Sequence, residues 1–501
     1  MNYYEVAPIQ IIRAGSATFT YASDNELSIG QLVIIEVGKK KLSGIVMRKT
    51  TKPTYPTKPI LELIEQTPLP AQLVELALWI SSYYVTPLAT TLQTILPRGL
   101  QKNRRKTIQE PLLPKRSRTK IVFNKEQQLA LDTLVVHKDG TFLLEGITGS
   151  GKTEVYIEVA KRAIQQNTSV ILLVPEIALT SQLIAEFSHH FSDVIVTHSK
   201  LTESARHQIW QDILVSDKPQ IIIGPRSALF MPLKNIGAII IDEAHEPSFK
   251  QEQSPRYSAL RVATMLGRFH KAKVIFGSAT PSVGDRYLAE KSNRPILKLT
   301  KLARKDSLPP TVTLVDMTKR ENLSNHRYLS KQLVQQIATT LEQGKQVLIF
   351  HNRRGSTSTT LCDNCGWTAE CPRCFLPLTL HSDQHLLRCH VCDHKADIPT
   401  SCPVCGGVDI IHKGVGTKLI ESELRALFKS ATIARFDADS ANDETVNALY
   451  NELYNGSIDI IIGTQTIAKG LDLPHLRTVG VIQADSGLAL PDFSSSERTF
   501  Q

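Results

Sequence analysis

Every cysteine of this chain, eight in all, lies between Cys362 and Cys405. They form four C-x-x-C pairs: Cys362/Cys365, Cys371/Cys374, Cys389/Cys392 and Cys402/Cys405. Two such pairs complete a tetrahedral Cys₄ site whose thiolates suit Zn²⁺, so the four pairs predict a metal module with two zinc ions. Fourteen residues separate Cys374 from Cys389, close to zinc-ribbon spacing, whereas only five separate Cys365 from Cys371. The spacing favours a nested arrangement, with Cys371, Cys374, Cys389 and Cys392 on one zinc and Cys362, Cys365, Cys402 and Cys405 on the other. Sequential pairing stays open, because spacing alone does not fix connectivity. Disulfides and thioredoxin-like redox pairs are the weaker readings of the same pattern. His381, His385, His390 and His394 lie among the cysteines and are not needed as ligands.

The sequence around the module carries two motifs of phosphate chemistry. From Gly146 the chain reads GITGSGKT, preceded by an apolar run and followed by the helix-like EVYIEVAKRAI. In such a P-loop the backbone N–H groups around Gly146, Thr148, Gly149, Ser150 and Gly151 cradle phosphates at a helix N-terminus. Lys152 would reach the β- and γ-phosphates, and the Thr153 hydroxyl would hold Mg²⁺. Further on, the strand-like IIID ends in Asp242-Glu243-Ala244-His245. Asp242 would complete the Mg²⁺ shell and Glu243 would orient or deprotonate the attacking water, so ATP and Mg²⁺ are the predicted cofactors. A glycine turn and a solvated acidic pair is the bland alternative, and the joint occurrence of both motifs in order argues against it.

A chain of 501 residues corresponds to roughly three or four domains. The N-terminus lacks the features of a signal peptide, and no apolar run reaches the roughly eighteen residues of a membrane span, so a cytoplasmic protein without a membrane partner is expected. The formal charge of +10 implies a polyanionic partner. Much of it is local: Lys102, Arg104, Arg105, Lys106, Lys115, Arg116, Arg118 and Lys120 face only Glu110. This stretch reads equally as a solvated linker and as a phosphate-tracking one.

Residues 1 to about 100 look β-rich through FTY, QLVIIEVG and KLSGIVMR, then helical from Gln72 to Tyr84. After the basic linker, TFLLEG, VILLVPE, QIIIGP, AIIID and KVIFGSAT alternate with helical segments, the pattern of a parallel sheet flanked by helices. A second series begins with VLIFHN and resumes beyond the cysteines with TIARFD, DIIIGT and TVGVIQAD. The fold class is therefore α/β, with two RecA-like P-loop lobes, a two-zinc ribbon inserted in the second, and a small β-rich N-terminal domain. The expected boundaries are 1–100 for the N-terminal domain, 101–120 for the basic linker, 121–300 for lobe 1, 301–361 with 406–501 for lobe 2, and 362–405 for the zinc insertion.

FNKEQ, GITGSGKT, LVPEIALTSQ, THSKLTESARHQIW, GPRSALF, DEAHEPSFKQE, FGSATPS, FHNRRG, GVGTKLIESEL, IIIGTQTIAKG and ERTFQ follow one another along nearly the whole chain. In this series the chain resembles the bacterial primosomal replication-restart helicases (the PriA, or primosomal protein N′, family), DNA helicases of superfamily 2. The resemblance implies ATP-driven 3′-to-5′ movement on single-stranded DNA, recognition of stalled or abandoned forks, and primosome assembly. It also implies work with helicase-loading proteins and single-stranded DNA-binding protein, with the chain acting as a monomer. It puts Gln127 in the adenine-reading position. Arg226 of GPRSALF would line the crevice at the strand ends where a phosphate backbone runs, and Thr464, Gln465 and Lys469 would supply the matching face of the second lobe. Phe249 and Lys250, with Arg256 and Tyr257, fall where the family has an aromatic-rich loop coupling DNA contact to hydrolysis. Its aromatics would stack on bases, with ordinary packing as the competing reading. In the N-terminal domain, Phe19, Gly38 and Lys58 match a pocket for a nascent-strand 3′ end, while Thr20 stands where the family usually has Asp.

Two departures shape the expectation. About twenty residues lie between the N-terminal domain and FNKEQ, too few for the winged-helix domain many relatives carry. The sequence ends at Gln501, the last residue of ERTFQ, where the family continues into an arginine-bearing motif that would contact the γ-phosphate. The leading reading is a fork-recognising DNA helicase. The alternative is a DNA-structure-binding, helicase-loading platform that binds ATP without productive turnover. An RNA helicase of the DEAH kind fits less well with the zinc insertion and GPRSALF.

Overall fold

Branched aliphatic runs make the strands of this molecule, and glycine, serine and asparagine punctuate them. The computed structural model describes every residue except 12–16, 101–121, 176–180, 200, 304–309, 318, 325–327, 352–358, 363, 366, 375–376, 382–383, 390–391, 414–416, 437–448, 465–472 and 489–492. It forms two compact units, Met1–Ser307 and Leu308–Gln501. Among the described residues no helix is long and apolar enough to cross a membrane.

The first unit starts with β1 (Asn2–Pro8), β2 (Phe19–Ser23), β3 (Leu32–Val37), β4 (Lys40–Thr50), β5 (Lys58–Pro59) and β6 (Glu62–Leu63), in the sheet order β5-β2-β1-β4-β3-β6. Ile60 N–H donates to Ala22 O and Leu61 N–H to Ile34 O, so the short segment between β5 and β6 ties together the two ends of the sheet. Helices α1 (Ala71–Tyr83) and α2 (Leu88–Ile95) follow.

Next come α3 (Lys125–Val136), β7 (Gly140–Gly146), α4 (Lys152–Gln165), β8 (Ser169–Leu173), α5 (Ser181–His190), β9 (Val194–Val196) and α6 (Glu203–Val215). Then follow β10 (Ile221–Gly224), β11 (Ile236–Ile241), α7 (Ala259–His270), β12 (Lys273–Ser278), α8 (Val283–Lys291) and β13 (Ile296–Leu299). The seven strands pair in parallel in the order β13-β7-β12-β11-β8-β10-β9. Strands β8 and β10 are buried along their whole length, as expected of a sheet covered on both faces. Alternate residues feed opposite cores. Leu143, Ile171, Ile222 and Ile239 pack with α6 and α7, while Phe142, Val170, Ile221 and Ile240 pack with α3 and α4. The first of these cores continues into Leu73, Leu76, Ile80 and Leu92 of α1 and α2. The sequence sets residues 1–100 apart, yet in space their helical end shares a core with the seven-stranded sheet.

The second unit contains α9 (Lys331–Glu342), β14 (Gln346–Phe350), β15 (Thr359–Cys362), β16 (Thr379–His381), β17 (Leu386–Arg388), β18 (Lys395–Asp397) and β19 (Ile410–Lys413). It continues with α10 (Thr417–Leu427), β20 (Ile433–Phe436), α11 (Tyr450–Asn455), β21 (Ile460–Gly463), β22 (Leu476–Val481) and α12 (Ser495–Phe500). A parallel sheet runs β20-β21-β14-β22. The cysteine module has its own antiparallel sheet, β18-β17-β16-β15-β19. Its entering and leaving strands pair directly, Thr360 with His412 and Cys362 with Ile410. A stem of this kind lets a module be inserted without breaking the parent sheet.

Candidate nucleotide, zinc and DNA-binding sites

The phosphate loop closes between the end of β7 and the start of α4. Its backbone requires glycine: Gly149 has φ +77° and Gly151 φ +84°. A Cβ on Gly146 would lie 2.7 Å from Ser150 Oγ, and one on Gly151 only 2.1 Å from Gln127 Nε2. α4 has no side-chain cap, so its first N–H groups are left for an anion. Lys152 opens the helix and donates from Nζ to Gly146 O at 2.9 Å; Thr153 follows it, and Thr148 lies exposed in the turn. These features fit a bound nucleotide phosphate, with Lys152 and Thr153 as the side chains that would meet the phosphates and their Mg²⁺.

Gln127 takes a different place from the one expected of it. It is buried, its Oε1 accepts from Asn124 N–H in a capping box, and its Nε2 donates to Ser150 O at 3.1 Å. Both ends of the amide are therefore spent on the start of α3 and on the phosphate loop. In this conformation Gln127 braces the loop instead of offering its amide to a base.

Asp242 and Glu243 follow the end of β11. Asp242 Oδ1 accepts from Tyr156 Oη at 2.9 Å. Burial, and next the neighbouring Glu243, push its carboxyl up to about 6, against the pull of Lys152 and the Tyr156 hydroxyl. Glu243 has φ +47°, a strained conformation for a residue with a side chain. His245 Nδ1 lies 2.7 Å from Ser278 Oγ and 3.4 Å from a Glu243 oxygen, which links the acidic segment to the FGSAT run at the end of β12. Tyr156 and Ser278 were not among the expected site residues. The spacing held a signal for Tyr156, since it lies four residues after Lys152 and so one turn along the same face of α4.

Arg226 donates through Nη1 to Ser248 O at 2.5 Å and Lys250 O at 3.2 Å. It thereby clamps the segment just after the acidic motif. Phe249 corrects the base-stacking expectation: the ring is 2% exposed and packs in the sheet core, as does Tyr257, whose ring meets Phe230 edge-on at 5.4 Å. An apolar ring with a core to enter is stabilised by about 25 cal/mol for each Å² it buries, which explains why packing prevails over an exposed aromatic loop. Lys250 is exposed; its Nζ sits 5.5 Å from the centre of the Tyr84 ring, and Tyr84 Oη accepts from Ser258 N–H at 3.0 Å. The end of α1 therefore pins the same segment that Arg226 clamps.

In the N-terminal sheet, Gly38 has φ +61° in the β3–β4 turn, and Lys58 Nζ donates to Gly38 O and to Glu36 Oε1, both at 2.6 Å. Gly38 and Lys58 are thus brought together. Phe19 shares a face of β2 with Tyr21, which registers opposite Lys58, and its half-buried ring packs on the small core. Thr20 Oγ1 lies 3.0 Å from Tyr55 Oη. In the second unit Thr464 follows directly on β21; Gln465 and Lys469 lie outside the described residues.

The cysteines assemble as two sets, Cys362/Cys365/Cys402/Cys405 and Cys371/Cys374/Cys389/Cys392, with the sulfurs of each set within 4.8 Å of one another. These are the groups of the nested arrangement that spacing favoured. Cys362–Cys405, Cys365–Cys402 and Cys371–Cys392 sulfurs are 3.6, 3.5 and 3.5 Å apart. Ligands at about 2.3 Å from a tetrahedral zinc stand about 3.8 Å from one another, so the donor sets fit the ion. None of the described histidines joins either set.

Comparison with known proteins follows the same division. Residues 124–286 match the DEAD/DEAH box helicase family, residues 9–97 the 3′ DNA-binding domain (3′BD), and residues 371–396 the PriA DNA helicase Cys-rich region (CRR) domain. Replication restart protein PriA of Rickettsia felis is 36% identical over 487 residues, covering 95% of this chain and 73% of that protein. The Bacillus subtilis protein of the same name is 36% identical over 422 residues, 82% of this chain and 52% of that one. That of Chlamydia trachomatis is 41% identical over 391 residues, 75% of this chain and 51% of that one. The chain thus spans about half the length of two of these relatives and nearly three quarters of the third.

Proposed function

The chain belongs to the replication restart protein PriA family, and from that premise we propose that it is an ATP-dependent DNA helicase acting at stalled or abandoned replication forks. In this reading it tracks 3′ to 5′ on single-stranded DNA and directs primosome assembly with helicase-loading proteins and single-stranded DNA-binding protein. The observation that carries the reading is the clamp of Arg226 on Ser248 O and Lys250 O. It connects a motif at the strand ends, where a strand's phosphates would lie, to the segment leaving Asp242 and Glu243. A shift of one alters the other, which a motor requires and a simple ATP-binding protein does not.

Bound Mg·ATP supplies the phosphoanhydride whose hydrolysis drives the motor. Lys152 and the N–H groups of the phosphate loop would hold its terminal phosphates, Thr153 and Asp242 its metal, and Glu243 the attacking water. Two zinc ions would hold the cysteine module, and Gly38, Lys58 and Phe19 would receive the 3′ end of a nascent strand. The test is phosphate release with and without single-stranded DNA, joined to strand separation on duplexes bearing 3′ or 5′ tails. DNA-stimulated release and opening from the 3′ tail are expected. Turnover indifferent to DNA in a chain that binds both ligands would sink the reading.

A further inference from the structure

Tyr156 is fully buried in the α3–α4 core, yet it carries a hydroxyl into the acidic centre of the nucleotide site. Space for that hydroxyl is made by one glycine. A Cβ on Gly277, in the FGSAT run, would lie 1.7 Å from Tyr156 Oη and 2.8 Å from Cζ. The arrangement is held from the other side too, because Ala244 N–H donates to Gly277 O at 2.9 Å and fixes the ends of β11 and β12 together. Three separate sequence motifs therefore converge on one hydrogen bond between Tyr156 Oη and Asp242 Oδ1.

We propose that Tyr156 is a positioning residue of the nucleotide site: its hydroxyl holds one oxygen of Asp242 and so presents the other to the divalent cation of Mg·ATP. This rests on the nucleotide reading of the site. A carboxylate free to rotate offers either oxygen in many directions, whereas one tethered at Oδ1 by a buried donor has its second oxygen aimed. Tyr156 acts through Asp242 and touches neither nucleotide nor metal. Its place in the core makes the donor rigid, which an exposed serine or lysine could not be.

The test separates aim from packing. Tyr156→Phe keeps the ring and removes Oη. A fluorescent ATP analogue is titrated onto the full, zinc-loaded chain with Mg²⁺ and in buffer from which Mg²⁺ is left out. The parent should gain affinity on adding Mg²⁺, and the variant should lose about tenfold of that gain while its metal-free affinity stays unchanged, as expected for losing one hydrogen bond to a charged group. In an Asp242→Asn background the same substitution should have no further effect on the Mg²⁺ gain. Gly277→Ala should reproduce the defect with the tyrosine intact, by displacing the hydroxyl; if that variant fails to fold, Tyr156→Phe decides. An unchanged Mg²⁺ gain in Tyr156→Phe, with only a lower melting temperature, would overturn the assignment and leave the nucleotide site standing. No Mg²⁺ gain in the parent would overturn the nucleotide reading and this inference with it.

Discussion

The phosphate loop and the cysteine module are both ligand cradles, built in opposite ways. The loop sits on a finished structure: α4 buries Val155, Tyr156, Ile157, Val159, Ala160 and Ala163 against a sheet whose inner strands β8 and β10 are buried along their whole length. The module has little beneath it. Its buried cluster among the described residues is Ala369, Cys371, Leu378, Leu387 and Cys389, and two of those five are the thiols themselves. Where the core is large, the ligand arrives at a site already formed; where it is small, the ligand does the work of a core.

The largest expected effect tests that contrast directly. Structural zinc sites contribute on the order of 10–16 kcal/mol to folding, far more than this small cluster can replace. Elemental analysis should give two zincs per chain. Cys389→Ser, or strong chelation, should make residues 359–413 protease-sensitive while the sheet of the first unit melts as before. A module that stays resistant to protease after the metal is gone would break the comparison.

The nucleotide site should respond the other way. Lys152 is half-buried, and its Nζ donates to Gly146 O. Lys152→Ala should lower ATP affinity by roughly a hundredfold, the scale of losing a charge-assisted contact of about 3 kcal/mol, with melting almost unmoved. Glu243→Gln should keep nucleotide and lose hydrolysis. Equilibrium titration and phosphate release distinguish the two. Unfolding of Lys152→Ala would show that the loop, like the module, depends on its ligand groups.

Much of this was legible in the sequence because the signals are local. The strands announce themselves as aliphatic runs, the phosphate loop as glycines before a lysine, and the metal sites as C-x-x-C pairs. Spacing favoured nesting without fixing it, and the proximity of Cys362 and Cys405 comes only from the pairing of β15 with β19. What stayed hidden depends on packing between distant segments. Phe249 reads as an aromatic for stacking, and only the core shows it filled a hole. Gln127 reads as a base contact, and only the fold shows its amide already spent on Ser150. The tie of Tyr84 to Ser258, across 174 positions, has no local signature at all.

Acid should undo the two regions for different reasons. Thiolate ligands reprotonate and release their metal, so the module fails with zinc loss. In the first unit His270, at the end of α7, is held down to about 4 by burial, and its Nδ1 accepts from Ile236 N–H at 3.4 Å. The sign follows: an unfolded chain takes up a proton on this histidine below about 6.5 while the folded one does not, so its contribution is complete above that pH and is lost as pH falls towards 4. The full loss is up to about 3 kcal/mol. Denaturant melts of the parent between pH 7.5 and 4.5 should show that decline, and His270→Gln should flatten it without changing zinc content. An equally steep decline in the variant would remove His270 as the cause.

The smallest effect asks how tightly a site built on a core confines damage. Tyr84 Oη accepts from Ser258 N–H, and its ring lies under the Lys250 ammonium, so the end of α1 holds the segment leaving the acidic motif at two points. Tyr84→Phe removes one of them and keeps the ring. An amide N–H that loses its acceptor in a half-buried place costs about 1 kcal/mol, a small shift in melting for a unit of this size. The change should be local, because Phe249, Tyr257 and Arg226 still anchor the segment from the sheet side. Hydrogen exchange should therefore quicken around Lys250 to Ser258 and leave β8 and β11 as slow as in the parent. Faster exchange through those strands would mean that the tie from α1 supports the whole sheet, and that the nucleotide cradle is less self-sufficient than its core suggests.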